Sequence, residues 1–212
     1  MTSLRQHDIE LLDGPLHLRP MTEGDWDTLL IWNNDPEVLY YSEGGNITSR
    51  SLPDMQKMYR GVSQQAYVFM IELYDRPIGE CWLQRMNLER VNCRFPGLDV
   101  RRIDLTIGEK DWWGRGWGTR IIRLLTRFAF EECSVDILYE PEIADYNPRS
   151  RRAFEKNGFV VDQVIPQPEG MKAKAGYDMI LTRHRYEEPM EASTWSSTFD
   201  RRGEGPSQPG AP

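Results

Sequence analysis

Apolar residues recur at helical spacing along several parts of the chain, most clearly over residues 121–130. Arginines fill the positions between the apolar residues there, which is typical of a helix with one buried face. Capping residues mark further helix starts, because their side-chain oxygens accept hydrogen bonds from the free N–H groups of a first turn. The predicted helices are residues 121–130, a segment carrying Trp26 and Trp32 after Thr22 and Asp25, Leu52 to Val62 after Ser51, and a short helix from Asn147 to Asn157-Gly158.

Apolar and polar residues alternate in short runs between these segments, which is the pattern of half-buried strands. Asp75-Arg76 separates two such runs and predicts a hairpin. The predicted strands are Leu16 to Met21, Ala66 to Tyr74, Pro77 to Leu88, Val100 to Gly108, and two later ones near Phe159 to Ile165 and Tyr177 to His184. This succession predicts an α+β fold with a central, mostly antiparallel sheet flanked by helices.

The chain has 212 residues, which is enough for one domain, and we expect that domain over residues 15–186. Residues 1–14 are mostly polar and predict a flexible arm, and residues 187–212 predict a disordered, acidic, Pro/Gly-rich tail. No apolar stretch approaches the ~20 residues of a membrane span, and the start lacks a hydrophobic signal region. A cytoplasmic protein without a membrane partner is therefore expected.

The three cysteines, Cys81, Cys93 and Cys133, lack the paired spacing of a disulfide framework or a zinc site. Buried thiols are the expectation for them. The histidines form no ligand cluster either, so no metal is predicted.

A glycine-rich run, Trp112-Trp-Gly-Arg-Gly-Trp-Gly-Thr119, leads directly into the helix of residues 121–130. Such a helix start offers unpaired N–H groups and a partial positive charge, and glycines let a pyrophosphate approach them. The run lacks both the lysine of a nucleoside-triphosphatase loop and the Gly-x-Gly-x-x-Gly spacing of a dinucleotide fold. Taken alone, it is as typical of a tight turn between a strand and a helix as of a cofactor cradle.

A second motif favours the cofactor cradle. From Asn147 to Phe159 the chain reads Asn-Pro-Arg-Ser-Arg-Arg-Ala-Phe-Glu-Lys-Asn-Gly-Phe. In this order and separation the two motifs resemble those of the GNAT superfamily of acyl-CoA-dependent N-acyltransferases, over roughly residues 15–186. The resemblance implies a sheet that splays open, a glycine loop that holds the CoA pyrophosphate, and a second motif that lines the pantetheine channel.

Acetyl-CoA is the cosubstrate that this resemblance implies, with the phosphate close to Arg115 or Arg120. The implied cofactor-binding residues are Thr106, Ile107, Trp113, Gly114, Arg115, Gly116, Trp117, Gly118, Thr119, Asn147, Phe154 and Lys156.

Asp104 is the candidate general base, because an alkylammonium with a pKa near ~10.4 must lose a proton before it can attack a thioester. Strand alternation would place Asp104 and Thr106 on one face and Ile103 and Leu105 on the other. Aminoglycoside 6′-N-acetyltransferases carry a similar Ile-Asp on this strand, with the aspartate proposed as base. The alternative is a surface carboxylate paired with Arg101 or Arg102.

The chain departs from the family pattern in two places. Phe154 stands where many members carry the tyrosine proposed to protonate the CoA thiolate, so water, the nascent ammonium, Tyr146 or Tyr139 would have to supply that proton. Trp113 makes the loop resemble that of ribosomal-protein N-terminal acetyltransferases, which leaves the subfamily open.

The acceptor is predicted from charge and aromatic content. The formal net charge is −7, and carboxylates beside the expected thioester position would attract a polycation and disfavour nucleic acid. Aromatic side chains can stack on sugar rings or cations. The predicted substrate-binding residues are Trp32, Tyr41, Glu80, Trp82, Asp99, Glu140 and Asp145.

Three functional hypotheses remain open at this point. The first is an aminoglycoside 6′-type N-acetyltransferase, linked to antibiotic resistance, in which a small polycationic amine attacks acetyl-CoA directly in a ternary complex. The second is a ribosomal-protein-type N-terminal acetyltransferase, and the third is a CoA-binding module without catalysis. The candidate base Asp104 favours the first hypothesis, and the loop that contains Trp113 favours the second. Phe154, which cannot donate a proton, favours the third. The sequence leaves both a monomer and a homodimer open.

Overall fold

The computed structural model describes residues 3–43 and 47–188 of the chain. Eight strands form one sheet in the order β1-β2-β3-β4-β5-β6-β8-β7, and every neighbouring pair is antiparallel except β5 and β6. The strands are β1 Leu11–Asp13, β2 Leu16–Pro20, β3 Ala66–Leu73, β4 Arg76–Arg85, β5 Val100–Ile107, β6 Ile137–Ala144, β7 Val160–Pro166 and β8 Ala175–Thr182. The mostly antiparallel sheet is thereby confirmed, and each predicted strand is present. Two of them end earlier than predicted, since β4 stops at Arg85 and β8 at Thr182, where a helix begins, and β1 was not predicted.

The helices cover both faces of this sheet. They are α1 Trp26–Trp32, α2 Pro36–Ser42, α3 Leu52–Ser63, α4 Glu89–Asn92, α5 Trp117–Arg127, which continues into a π-helical turn at Phe128–Glu132, α6 Pro148–Glu155 and α7 Arg183–Glu187. The larger core lies beneath α5 and contains Leu18, Ile103 and Leu125. The smaller core lies beneath α1 and α3 and contains Met55 and Met70.

The predicted helix caps form as the sequence indicates. Thr22 and Asp25 make a reciprocal capping box, in which the Thr22 backbone N–H donates to the Asp25 carboxylate over 2.7 Å. Ser51 accepts from the Asp54 N–H over 3.3 Å, and Asn147 accepts from the Ser150 N–H over 3.3 Å. Each cap satisfies an N–H group that the helix itself leaves unpaired.

Strand β5 separates two chemical environments by simple alternation. Ile103 packs in the larger core and Leu105 packs against it. Asp104 lies on the opposite face, directly across from Trp82 of β4, and Trp82 packs against the smaller core. The predicted division of this strand into an apolar and a polar face is confirmed.

Strands β5 and β6 pair over a short distance and then separate. Their paired residues are Val100 with Ile137 and Arg101 with Leu138. Just beyond them, the Ile103 N–H donates to the Glu140 carboxylate over 3.2 Å instead of to a strand neighbour. Residues 104–107 therefore have β4 on one side and an open cleft on the other.

The N-terminal segment differs from its prediction as a flexible arm over residues 1–14. Strand β1 pairs with β2, the Leu4 side chain is buried, and the Arg5 backbone N–H donates to Ser63 over 2.9 Å. Buried apolar residues such as Leu4 and Leu11 fix this segment to the domain although most of its other side chains are exposed, which average composition does not reveal. The predicted tail falls mainly on residues 189–212, which lie outside the described part.

Two smaller expectations were also wrong or incomplete. Cys93 is exposed although Cys81 is buried, so the prediction of buried thiols fails at Cys93. Helix α2 was not predicted.

No helix in residues 3–43 and 47–188 combines the length and apolar character that crossing a membrane requires.

Candidate active site

The separation of β5 from β6 opens a cleft of about 850 Å³ that reaches both faces of the sheet. The cleft brings together most of the residues that the sequence predicts for the site. They are Trp32, Tyr41, Glu80, Trp82, Asp104, Thr106, Ile107, Trp113, Gly114, Gly116, Gly118, Thr119, Glu140, Asn147, Phe154 and Lys156.

The glycine loop closes one end of the cleft. Gly114 and Gly116 have φ angles of +73° and +85°, a left-handed conformation that residues with a Cβ rarely adopt. Gly116 is the N-cap of α5, so the first N–H groups of that helix are left without helical acceptors. The Trp113 indole N–H donates to the Ile107 carbonyl over 2.7 Å and fixes the loop to the end of β5. The arrangement can bind an anion at the start of α5.

The two sequence motifs are joined by a direct contact. The Asn157 side chain, after the end of α6, donates to the Thr119 carbonyl in α5 over 3.0 Å. Phe154 is buried and packs edge-on against Phe159, with 5.0 Å between ring centroids. The sequence pattern predicts Asn157 only as the end of a helix and does not indicate this linking role.

Asp104 lies on the polar side of the cleft. Its Oδ1 accepts from the Arg102 guanidinium over 2.6 Å, so Arg102 is the partner among the two arginines considered. The Oδ2 atom is buried, and the indole N–H of Trp82, its cross-strand neighbour, helps to hold the pKa of Asp104 down. Burial raises the pKa of Asp104 above its ordinary value, and Arg102 opposes this rise. Asp104 therefore has one cationic partner, Arg102, and no second cation is bonded to its Oδ2 atom among the described residues.

Two further carboxyl groups lie close to Asp104. Glu80 is 5% exposed, and its burial raises the pKa to about 8. Burial and the nearby Asp104 raise the pKa of Glu140 well above its ordinary value, although its hydrogen bond from Ile103 opposes this. Glu80, Asp104 and Glu140 together form the floor of the cleft, and the cation bonded to this group of three carboxyls is Arg102, through Asp104. The cleft floor therefore favours the binding of additional positive charge.

Replacing Glu80 by glutamine should stabilise the fold increasingly as the pH rises. The folded protein holds the Glu80 proton up to a pKa of about 8, whereas the unfolded chain releases it near the ordinary value of 4.5. Wild-type stability therefore falls as the pH rises between these values. Glu80→Gln removes this loss, which amounts to about 3 kcal/mol near pH 7.

Urea unfolding of the wild type and Glu80→Gln near pH 5 and pH 7 measures this effect. The two proteins should be nearly equally stable at the lower pH. A difference that stays the same at both pH values would show that Glu80 is not protonated in the folded state.

Helix α2 and the loop between β7 and β8 form a wall that the sequence analysis missed. Tyr41 of α2 packs edge-on against Trp113, and the Arg149 guanidinium lies 4.5 Å and 4.9 Å from the centroids of their rings. Asp35 followed by Pro36 is a helix-start signal that could have predicted α2. The additional lining residues include Val38, Leu39, Ser42, Glu43, Tyr146, Arg149, Gln167, Met171 and Ala173.

Four residues predicted for the site lie outside the cleft lining. The Arg115 guanidinium lies over the Trp112 ring, and Trp117 packs against the larger core. Asp99, at the end of β5 farther from the glycine loop, accepts from Arg101 over 3.1 Å. Asp145 accepts from the Lys174 backbone N–H over 3.3 Å.

Two alternative roles from the sequence analysis are also corrected. Arg120 was one of two candidates for the phosphate, but its side chain donates to Asp13 over 2.8 Å. The Tyr139 hydroxyl donates to Asp178 over 2.8 Å, away from the cleft, so Tyr139 is not placed to protonate a thiolate. Across residues 3–43 and 47–188, no group of His, Cys, Asp or Glu is arranged to hold a metal ion.

Comparison with known proteins gives consistent matches. The family model for the acetyltransferase (GNAT) domain matches residues 16–160. The aminoglycoside N(6')-acetyltransferase type 1 of Klebsiella pneumoniae is 27% identical over 185 residues, covering 80% of this chain and 84% of that protein. The enzyme of the same name from Serratia marcescens matches with the same values.

Solved structures share the fold. The aminoglycoside acetyltransferase AAC(6')-Ib in complex with ribostamycin and coenzyme A has a TM-score of 0.66 at 23% identity, covering 84% of this chain and 98% of that one. The spermidine N-acetyltransferase of Vibrio cholerae, in complex with CoA and spermine, has a TM-score of 0.66 at 18% identity. That match covers 82% of this chain and 99% of the other.

Proposed function

The chain belongs to the GNAT family of acetyltransferases, and we propose that it transfers an acetyl group to a primary amine of a small polycationic acceptor. The acetyl donor is acetyl-CoA. The observation that carries the acceptor class is the group of buried carboxyls, Glu80, Asp104 and Glu140, on the cleft floor. The similar proteins act on aminoglycosides or spermidine, and both of these acceptors are polycations.

The cosubstrate would lie along the open side of β5. The pyrophosphate fits the unpaired N–H groups at the start of α5, where the two left-handed glycines bring the backbone within reach. The pantetheine arm, with its two amides, fits the side of residues 104–107 that β6 leaves unpaired. Asn147 and Phe154 of the second motif line the same channel.

Asp104 would then accept the proton of the reacting ammonium. The free amine attacks the thioester carbonyl of acetyl-CoA directly, without a covalent acetyl-enzyme. The C–S bond breaks as the new C–N bond is completed, and the thiolate leaves. Tyr146 lines the cleft, and its burial raises the pKa of the hydroxyl, which therefore carries a proton at neutral pH. We assign to this hydroxyl the protonation of the thiolate that Phe154 cannot perform, and the nitrogen of the new amide returns its second proton to the Tyr146 oxygen.

An acetyl-CoA consumption assay across aminoglycosides, polyamines, lysine derivatives and peptides tests the acceptor class. We expect turnover with polyamines or aminoglycosides and little turnover with peptides. Turnover confined to peptides would replace the proposal with the N-terminal acetyltransferase hypothesis.

Phe154→Tyr should leave turnover nearly unchanged. Attack by the neutral amine is the harder step when a thiolate leaves, and the buried ring position adds a cost of ~1–3 kcal/mol for an unpartnered hydroxyl. Steady-state kinetics with the best acceptor of the panel measure this directly. A large gain in turnover would instead mean that thiolate protonation limits the rate of the native protein and that Tyr146 does not supply the proton.

A further inference from the structure

Glu80 differs from the other carboxyl groups that line the cleft. Glu43 pairs with Arg50, Asp104 pairs with Arg102, and Glu140 accepts from Ile103. Glu80 has no ion pair among the described residues, and its Oε2 atom has no hydrogen-bond partner there. The side chain is nevertheless buried and forms part of the cleft surface. Glu80 is thus a buried carboxyl at the cleft surface that has one unpartnered oxygen and no cation bonded to it among the described residues.

The groups around Glu80 explain why it carries a proton in the free protein. Asp104 on β5 and Glu43 after α2 raise its pKa by charge repulsion, in addition to the effect of burial. Hydrogen bonds from the hydroxyls of Thr106 on β5 and Tyr59 on α3 oppose this rise in the pKa of Glu80. On the third side, β3 places the uncharged Met70 opposite Glu80. No cation bonded to Glu80 appears in residues 3–43 and 47–188.

Glu80 is also placed at a defined position relative to the proposed base. It pairs across strands with Thr106, so Asp104 is its diagonal neighbour on the same face of the sheet. Diagonal neighbours in an antiparallel pair lie about 7–8 Å apart. One acceptor molecule could therefore place an ammonium group beside Glu80 and its reacting amine beside Asp104, with only a few covalent bonds between the two nitrogen atoms.

We infer that Glu80 binds a second, non-reacting ammonium group of the acceptor and releases its own proton to solvent as that group binds. This inference rests on the proposed function. It specifies the substrate class as a diamine or polyamine, or an amino sugar with a second amino group at a similar separation. The exchange balances, since the carboxylic acid O–H ionises and the resulting carboxylate pairs with the incoming ammonium. A nearby cation favours the ionised carboxyl.

Calorimetry of spermidine binding at pH 7 tests the exchange, with the same titration in phosphate and in Tris buffer. The two buffers differ in ionisation enthalpy, so the difference in heat reports the protons released. The wild type should release close to one proton per spermidine, because a group with a pKa of about 8 is mostly protonated at this pH. Glu80→Gln should release none and bind spermidine about tenfold or more weakly, with acetyl-CoA affinity unchanged.

Glu140→Gln is the matched control, because it changes a second buried carboxyl of the same cleft that already has a backbone donor. It should retain the release of one proton. If Glu80→Gln still releases the proton, or if Glu140→Gln alone abolishes the release, the inference is wrong while the proposed function stands. If neither spermidine nor any aminoglycoside binds to the wild type, the proposed acceptor class itself is wrong.

Steady-state kinetics with diamines and monoamines distinguish a binding role of Glu80 from a structural one, because a structural role would affect KM equally for both kinds of amine. For putrescine, Glu80→Gln should raise KM and change kcat little. For butylamine, which has one amino group on a carbon chain of the same length, KM should be the same in the variant and the wild type. Equal effects on both amines would overturn the assignment of Glu80 to a second ammonium group.

Discussion

Asp104→Asn is expected to lower turnover by about 10²–10⁴, the usual contribution of general acid–base catalysis, while acetyl-CoA affinity stays unchanged. Asparagine has the same shape and can still accept from Arg102, which bonds the native carboxylate over 2.6 Å. What it lacks is the basicity to remove a proton from an ammonium whose pKa is near ~10.4. The loss should therefore come from chemistry and leave the fold and the cofactor site intact.

The pH dependence adds a second test of the same role. Burial raises the pKa of Asp104, so wild-type turnover should increase as the pH rises through that value and the carboxyl ionises. The deficit of Asp104→Asn should shrink at high pH, because the acceptor amine then loses its proton without help. Steady-state rates from about pH 6 to pH 10 would show both trends.

Asp99→Asn provides a matched control for this experiment. Asp99 is bonded to Arg101 just as Asp104 is bonded to Arg102, two residues apart in each case, but it lies outside the cleft. Its substitution should leave turnover within a few fold of the wild type. Near-normal turnover of Asp104→Asn at neutral pH would remove this residue from the mechanism.

Gly116→Val should weaken acetyl-CoA binding by about 100-fold or more. The valine side chain would stand at the start of α5, where the pyrophosphate must approach the backbone N–H groups. Losing two charge-assisted hydrogen bonds costs about 3 kcal/mol, which corresponds to this change in affinity. Calorimetric titration with acetyl-CoA measures the loss.

The left-handed backbone at Gly116 means that valine also introduces strain of about 1–2 kcal/mol. Gly97→Val separates the two effects, because Gly97 has a φ of +79°, is exposed, and also has no atom within 4 Å of an added Cβ. Both variants should lose similar stability, and only Gly116→Val should lose affinity. Unchanged binding by Gly116→Val would move the pyrophosphate away from this loop.

The sequence predicted what depends on local patterns. Three features follow from residues that are close together in the chain. They are the capping box of Thr22 and Asp25, the alternation that places Asp104 and Ile103 on different faces of the sheet, and the helix start after the glycine loop. Such features form in many different folds, because they depend only on neighbouring residues and on local backbone hydrogen bonds. The helix starts and the polar face of β5 could therefore be predicted.

The rest of the site depends on distances that the sequence does not encode locally. Asp104 lies on β5 and Asp99 directly precedes that strand, but only the structure shows that the sheet opens after Arg101 and leaves Asp99 at the closed end. Asp145 is missing from the cleft lining although Ala144 and Tyr146 belong to it, and its carboxylate accepts from the Lys174 backbone N–H instead. The protonation of Glu80 is a consequence of burial by α3 and β5, which its own neighbours in the chain do not indicate.

The short pairing of β5 with β6 makes the sheet two units that share a narrow seam. Two residue pairs and the bond from Ile103 to Glu140 join the backbones of the strands β1–β5 and β6–β8 along this seam. Side chains add further links, among them the ion pair of Arg90 with Asp178 and the larger core that Ile103 shares with Leu138. The seam contains fewer backbone hydrogen bonds than the neighbouring strand pairs, so opening it breaks fewer of them. Acetyl-CoA bound along it would contact both units, so its concentration would set how often they separate and how readily a protease cuts between them.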